Sequence, residues 1–113
     1  MTTIEHWKRT KRLDHRVQIL KAVAHPVRMC VVAALIEGPR HVNALAEQLG
    51  IAQPIVSQQL RILRMSGLVR TQRKGGLAVY EVAEPNLFKL MDCLDNCCAD
   101  AQAREARQGR SRG

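Results

Sequence analysis

Apolar positions recur every three to four residues over most of the chain, the spacing of amphipathic helices. The first stretch covers residues 12–24, and a second begins at Pro26, which suits the first turn of a helix because its missing N–H costs nothing there. The segment "EGPR", residues 37–40, ends the second helix. The apolar residues that recur at helical spacing in the first helix are Leu13, Val17, Leu20 and Ala24.

Two further helices and a hairpin follow. "VNALAEQLG" stops at Gly50, a residue favoured in the left-handed position after a helix. "QPIVSQQLRILRMSG" carries Val56, Leu60 and Leu63 at i, i+4 and i+7, so one side of it is predicted to be buried. "LVRTQRKGGLAVYEV" contains two β-prone runs separated by residues 74–76, the pattern of a hairpin.

A last helix is predicted from Pro85 to about Ala101. The arginine-, glycine- and serine-rich residues after it are predicted to be disordered. We therefore expect a basic N-terminal arm (residues 1–11), one folded domain (12–101) and a basic disordered tail (102–113). The predicted fold class is mainly α, with about five helices and a small β-hairpin.

Composition narrows the possible functions. The 113 residues are enough for one domain, and with 46% hydrophobic but only 3% aromatic residues the core must be aliphatic. The formal net charge of +8 suggests a polyanionic partner such as nucleic acid. Neither a signal peptide nor an apolar run of ~20 residues is evident, so we expect a cytoplasmic protein with no membrane partner and with reduced cysteines.

The two helices before the hairpin carry a DNA-reading pattern. Two helices joined by a tight turn and followed by a basic hairpin are typical of a winged helix-turn-helix, whose second helix enters the major groove. Opposite its apolar stripe that helix offers glutamine and serine, which can pair with base edges, and arginine, which suits phosphate. A solvated polar face is the alternative for any single residue. The predicted DNA-binding residues are Gln53, Ser57, Gln58, Gln59, Arg61 and Arg64 in the helix and Arg73 and Lys74 near the hairpin tip.

The segments "LKAVAHPVRMCVVAAL" and "ALAEQLGIAQPIVSQQLRILRMSGLVRTQRKGGLAVYEV", with the closing helix, resemble the ArsR/SmtB family of bacterial metal- and thiol-responsive repressors. The resemblance covers roughly residues 13–98. It implies a homodimer held together by the first and last helices, a two-fold symmetric double-stranded operator, and release from that operator when an inducer binds. The N-terminal arm is expected to extend the dimer interface, to contact phosphate or to be mobile.

Three cysteines crowd the last helix, Cys93, Cys97 and Cys98. The family's cysteine site in the helix before the recognition helix is absent here, and no histidine lies in the last helix for a zinc site of the family's other type. Thiolates select soft ions. The "NCC" pair resembles that of arsenite-responsive members, so arsenite or antimonite bound by these three thiols is the expected inducer, with no catalytic cofactor.

Other functions remain as alternatives. Cys30 is predicted to lie in the core, but if it is functional it could pair with Cys97 or Cys98 in a persulfide- or redox-responsive repressor, as in some family members. A nucleoid-type DNA binder would need no cysteine cluster. An enzyme is not expected, because "CLDNC" is not a C-x-x-C redox motif and no phosphate-binding glycine loop is present.

Overall fold

The computed structural model describes residues 3–8 and 10–111 as six helices and one two-stranded antiparallel sheet. This is the predicted winged helix-turn-helix, with one helix more than expected because the N-terminal arm contains a short helix of its own. The elements are α1 (Thr3–Lys8), α2 (Thr10–Val23), α3 (Pro26–Ile36), α4 (Val42–Leu49), α5 (Gln53–Met65), β1 (Val69–Lys74), β2 (Leu77–Val82) and α6 (Leu87–Ser111).

The core is aliphatic and is centred on one side of α5. The predicted stripe is completely buried there, since Val56, Leu60 and Leu63 are each 0% exposed. It packs with buried leucines and valines of α3, α4 and β1, which places α5 against all three elements. The remaining buried core residues are Ala22, Val23, Val31, Val32, Ala34, Leu35, Leu45, Leu68, Val69 and Leu87.

The turn between α4 and α5 is set by a glycine. Gly50 adopts φ +66°, the left-handed conformation that ends α4, and its N–H is donated back to the carbonyl groups of Ala46 and Glu47. Only two residues then separate it from the start of α5, where Pro54 occupies the first turn. Because the connection is so short, α5 begins directly beside the end of α4 and packs across it, as the helix-turn-helix prediction required.

The predicted hairpin forms, and it is tied to the helices. Val69 pairs with Val82 and Lys74 with Leu77, and the intervening Gly75 and Gly76 both have positive φ, as a type I′ turn demands. At the base, Arg40 and Tyr80 exchange two backbone hydrogen bonds, 3.0 and 2.8 Å long. These bonds join the segment before α4 to the wing strand β2.

The C-terminal tail differs from the prediction. Instead of becoming disordered after residue 101, the chain continues α6 without a break to Ser111, while residues 112–113 lie outside the described part. Alanine, arginine, glutamate and glutamine in "AREARQ" are good helix formers, and extending an existing helix needs no new nucleation. Of the predicted arm, residues 1, 2 and 9 lie outside the described part, and Thr3–Lys8 is helical.

The apolar residues that recur along the first helix are not all buried in the core. Val17 is 39% and Leu20 56% exposed, whereas Ala22 and Val23 are buried. Ala24 follows the end of α2 and is exposed, and the side chain of Leu13 lies outside the described part. Helical spacing showed an apolar side on α2, but not which partner covers it.

No single helix in the described residues is long and apolar enough to cross a membrane. Only α2 and α3 taken together reach that length and apolarity, and they are bent by 91°.

The burial of α5 predicts a large difference between neighbouring substitutions. Leu63→Ala should lower the free energy of unfolding by about 2–5 kcal/mol, because it leaves a cavity in the core. Met65→Ala is the matched control on the same helix: Met65 is 76% exposed, so its truncation should change stability by no more than about 0.5 kcal/mol. Urea unfolding at one fixed protein concentration measures both; equal effects would contradict the packing described here.

Candidate nucleic-acid interface and thiol cluster

The polar side of α5 is exposed along its whole length. Because Val56, Leu60 and Leu63 are buried, helical geometry sends the opposite residues outwards. The exposed residues are Gln53, Ser57, Gln58, Arg61 and Arg64, all of which the sequence had singled out. The helix therefore presents glutamine and serine towards its N-terminal half and arginine towards its C-terminal half, on a side free to enter a groove of DNA.

Four of these residues are brought together with a residue that the sequence prediction missed. Ser57, Gln58, Arg61 and Arg64 line one open groove of about 490 Å³, together with Pro54 and Tyr80. Tyr80 belongs to β2, so this groove lies between the recognition helix and the wing. The only sequence signal for Tyr80 was an aromatic residue in a strand next to a basic helix, which is also the signal of an ordinary core residue.

Gln53 and Gln59 stand apart from this groove. Gln53 is exposed as the first residue of α5, ahead of the groove. Gln59 is half-buried, and its Oε1 atom is buried without a hydrogen-bond partner among the described residues. Its side chain therefore lies at the edge of the core rather than on the fully exposed side, and its contact with DNA stays a prediction.

The wing places its predicted contacts at the tip. Arg73 and Lys74 are exposed at the end of β1, and an Arg73 guanidinium N–H donates to the carbonyl oxygen of Gly76, 3.1 Å away. Nearer the base, Arg70 pairs with Glu81 across the two strands at 2.8 Å. The pair neutralises the charge of Arg70 near the base of the hairpin, so positive charge remains concentrated at the tip.

The thiols lie on a different part of the molecule. Cys93, Cys97 and Cys98 are exposed and not in disulfides. Since α6 is continuous here, the three side chains spread over roughly 140° of the helix. Among the described residues no three His, Cys, Asp or Glu side chains are arranged to hold a metal ion. Cys93 and Cys97 are neighbours one turn apart, and Cys98 points away from them.

The prediction that Cys30 belongs to the core is wrong. It is exposed on α3, whose buried residues are Val31, Val32, Ala34 and Leu35. This helix is apolar on nearly every side, so apolar spacing did not reveal which stripe the core would take. Three of the four histidines have structural contacts: His25 and His41 accept backbone N–H groups at the starts of α3 and α4, and His6 lies 3.4 Å from Arg16.

Comparison with known proteins agrees with this geometry. The family "Bacterial regulatory protein, arsR family" matches residues 25–71. The biofilm growth-associated repressor of Xylella fastidiosa (strain Temecula1 / ATCC 700964) is 38% identical over 106 residues, covering 89% of this chain and 93% of the relative. The chain belongs to the ArsR family. It is thus a DNA-binding transcriptional repressor and, like its relatives, not an enzyme.

Solved structures of ArsR-type proteins share the fold. The transcriptional repressor BigR from Xylella fastidiosa has a TM-score of 0.74 at 37% identity, over 86% of this chain and 96% of that one. A homodimeric winged helix-turn-helix DNA-binding domain from Mycobacterium bovis, described as a possible ArsR-family regulator, has a TM-score of 0.70 at 27% identity. That likeness covers 87% of this chain and 94% of the other.

The exposed side of α5 predicts which residues of this ArsR-family protein read bases. Gln58→Ala should weaken binding to an operator fragment from the protein's own promoter by about 1–3 kcal/mol, because a base edge loses its partner. Binding to a random duplex of equal length should hardly change. Fluorescence anisotropy measures both affinities.

Gln18→Ala is the control, since Gln18 is an exposed glutamine of α2 beside the C-terminal end of α5. It should leave both affinities unchanged. If Gln58→Ala lowered the affinity for the operator and for the random duplex equally, the result would contradict base reading by Gln58.

Proposed function

We propose that this protein is a homodimeric repressor released from its operator when arsenite or antimonite binds Cys93, Cys97 and Cys98. The observation that carries the proposal is that three exposed thiols lie within six residues of one helix. Three thiols can displace the three hydroxyls of arsenous acid, forming three As–S bonds and three water molecules with no change in oxidation state. Such a soft centre matches thiolate donors better than oxygen ligands.

The shape of α6 explains how binding could act as a switch. Cys93 and Cys97 can reach one centre across a single helical turn, but Cys98 is about 100° around the helix from Cys97. The helix runs well past Asn96 without fraying, so a three-thiolate centre within one chain must break backbone hydrogen bonds of this intact helix. The inducer would then bind best to a conformation other than the helix described here. Release from DNA requires such a preference, because a ligand shifts an equilibrium only by binding one state more tightly than the other.

Apolar side chains on both terminal parts of the chain support a dimer. On α1 and α2, Ile4 is 66% and Leu20 56% exposed. Among the side chains of α6 that the structure describes, only Leu87 is fully buried, and Leu94 is half-buried one turn before Cys98. A second copy of the chain would cover these residues, in line with the interface that the family resemblance implies. The thiols would then lie beside the dimer seam.

Coupling between the two sites follows from that placement. In a two-fold symmetric dimer, the seam sets the separation of the two α5 helices, which must match successive major grooves. An inducer that changes α6 at the seam changes that separation. The coupling free energy equals the difference between the free energies with which the inducer binds free and DNA-bound protein, and so depends on the ratio of the two affinities.

Arsenite titration tests the inducer directly. The reduced protein, bound to a labelled operator fragment, should be released at about one arsenite per subunit, seen as a fall in anisotropy. Cys93→Ser, Cys97→Ser and Cys98→Ser should each abolish release, whereas Cys30→Ser should retain it. Ultraviolet absorption of the As–S bonds, measured without DNA, reports binding separately; binding without release, or no binding, would refute the proposal.

Disruption of α6 tests the dimer. Leu94→Glu should give monomers in sedimentation equilibrium and weaken operator binding by about 100-fold or more, because each half-site is then bound independently. Asn96→Glu introduces the same residue on the opposite, exposed side of α6 and should leave both properties unchanged. A Leu94→Glu protein that stays dimeric would place the interface elsewhere.

The second candidate function is a persulfide- or redox-responsive repressor that uses Cys30. Its support is the exposure of Cys30 on α3, one turn before Ala33. Ala33 in turn lines a groove shared with Met91 and Asp92 of α6. A repressor that ignores arsenite but is released by inorganic polysulfide, and loses that response in Cys30→Ser, would have this function instead.

A further inference from the structure

The groove between α5 and β2 is lined by several hydrogen-bond donors. Two guanidinium groups (Arg61 and Arg64), a hydroxyl (Ser57), an amide (Gln58) and a phenol (Tyr80) line it. Neither arginine has an ion pair among the residues described, and no carboxylate belongs to the lining. Two unneutralised cations and several neutral donors thus face one open space of about 490 Å³.

Tyr80 is held in this groove from two sides. Its backbone forms the 3.0 and 2.8 Å hydrogen bonds to Arg40. Its ring is half-buried against the hydrophobic core, and within the described structure its hydroxyl has no hydrogen-bond partner. A tyrosine with a fixed backbone and a packed ring offers its hydroxyl at a defined position, so a ligand bound there pays little entropy for ordering it.

We propose that this groove is a subsite for one phosphodiester of the DNA backbone, held jointly by Arg61 and Arg64 of the recognition helix and by the Tyr80 hydroxyl of the wing. The proposal rests on the DNA-binding function but not on the identity of the inducer. Tyr80 is thereby assigned to the DNA interface as a positioning residue rather than as a base reader.

The chemistry of the lining favours a phosphodiester over a base edge. Arginine, serine and tyrosine are all among the residues that contact DNA phosphates, and such contacts fix the register of a protein on the duplex. Because helix and wing strand both contribute, the bound phosphate would fix the depth and rotation of α5 relative to the wing. Gln53, which lies ahead of the groove, and Gln58, an uncharged residue of its lining, would then meet the bases.

Removing the Tyr80 hydroxyl tests the subsite. Tyr80→Phe keeps the ring and its packing, so the melting temperature should stay the same while affinity falls about tenfold from the loss of one charge-assisted hydrogen bond. The loss should be equal on the operator fragment and on a random duplex of the same length. A loss confined to the operator would make Tyr80 a base reader, and no loss on either duplex would remove it from the interface; each result overturns the proposal.

Salt dependence tests the arginines independently. Arg64→Gln should reduce the slope of log affinity against log salt concentration by about 0.9 per subunit, the value for one phosphate contact. Arg104→Gln removes the same charge from an exposed position of α6 and should leave the slope unchanged. Equal slopes for the two variants would show that Arg64 acts only through net charge, contrary to the proposal.

Replacing single phosphates by methylphosphonates locates the contact. At one position in each half-site, the substitution should weaken binding of the wild-type protein but should not weaken binding of Tyr80→Phe any further. If no position shows this overlap, the assignment is overturned. It is also overturned if Tyr80→Phe weakens binding of inorganic phosphate, measured by calorimetry, without changing DNA affinity.

Discussion

Burial of one side of α5 against α3, α4 and β1 is the constraint on which the rest of the DNA-binding surface depends. Val56, Leu60 and Leu63 exclude water completely, so α5 cannot rotate about its axis without exposing at least one of them. The direction of every polar side chain on the opposite side follows from that burial. The left-handed turn at Gly50 and the two backbone bonds between Arg40 and Tyr80 then set α4 and the wing around the same helix.

The helix that carries the thiols is held in a different way. Leu87 anchors its first turn in the core, with Leu90 and Met91 packed beside it, and the other described side chains of α6 are half-buried or exposed. Such a helix is only weakly stabilised within one subunit, because most helical stability in proteins comes from tertiary packing. Its conformation is therefore open to control by a partner chain or by a ligand on its cysteines.

The two surfaces thus differ in rigidity in a way that suits a regulated repressor. The DNA-facing donors lie on elements that are packed tightly into the core. The thiols lie on the part of α6 that has the least contact with the core. A switch of this kind does not need to deform the recognition helix. It needs only to change how two rigid subunits are placed relative to each other, which costs less than repacking a dense core.

Sequence alone determined the features that depend on local spacing and turn chemistry. These are the α5 stripe, the end of α4 at Gly50, the glycine turn of the hairpin and the crowding of Cys93, Cys97 and Cys98. Tertiary structure decided which of several apolar stripes the core uses. It exposed Cys30, Val17 and Leu20, and it brought Tyr80 to Arg61 and Arg64. The reason is that periodicity reports an apolar side but not its partner, and contacts between a strand and a distant helix depend on how the elements pack.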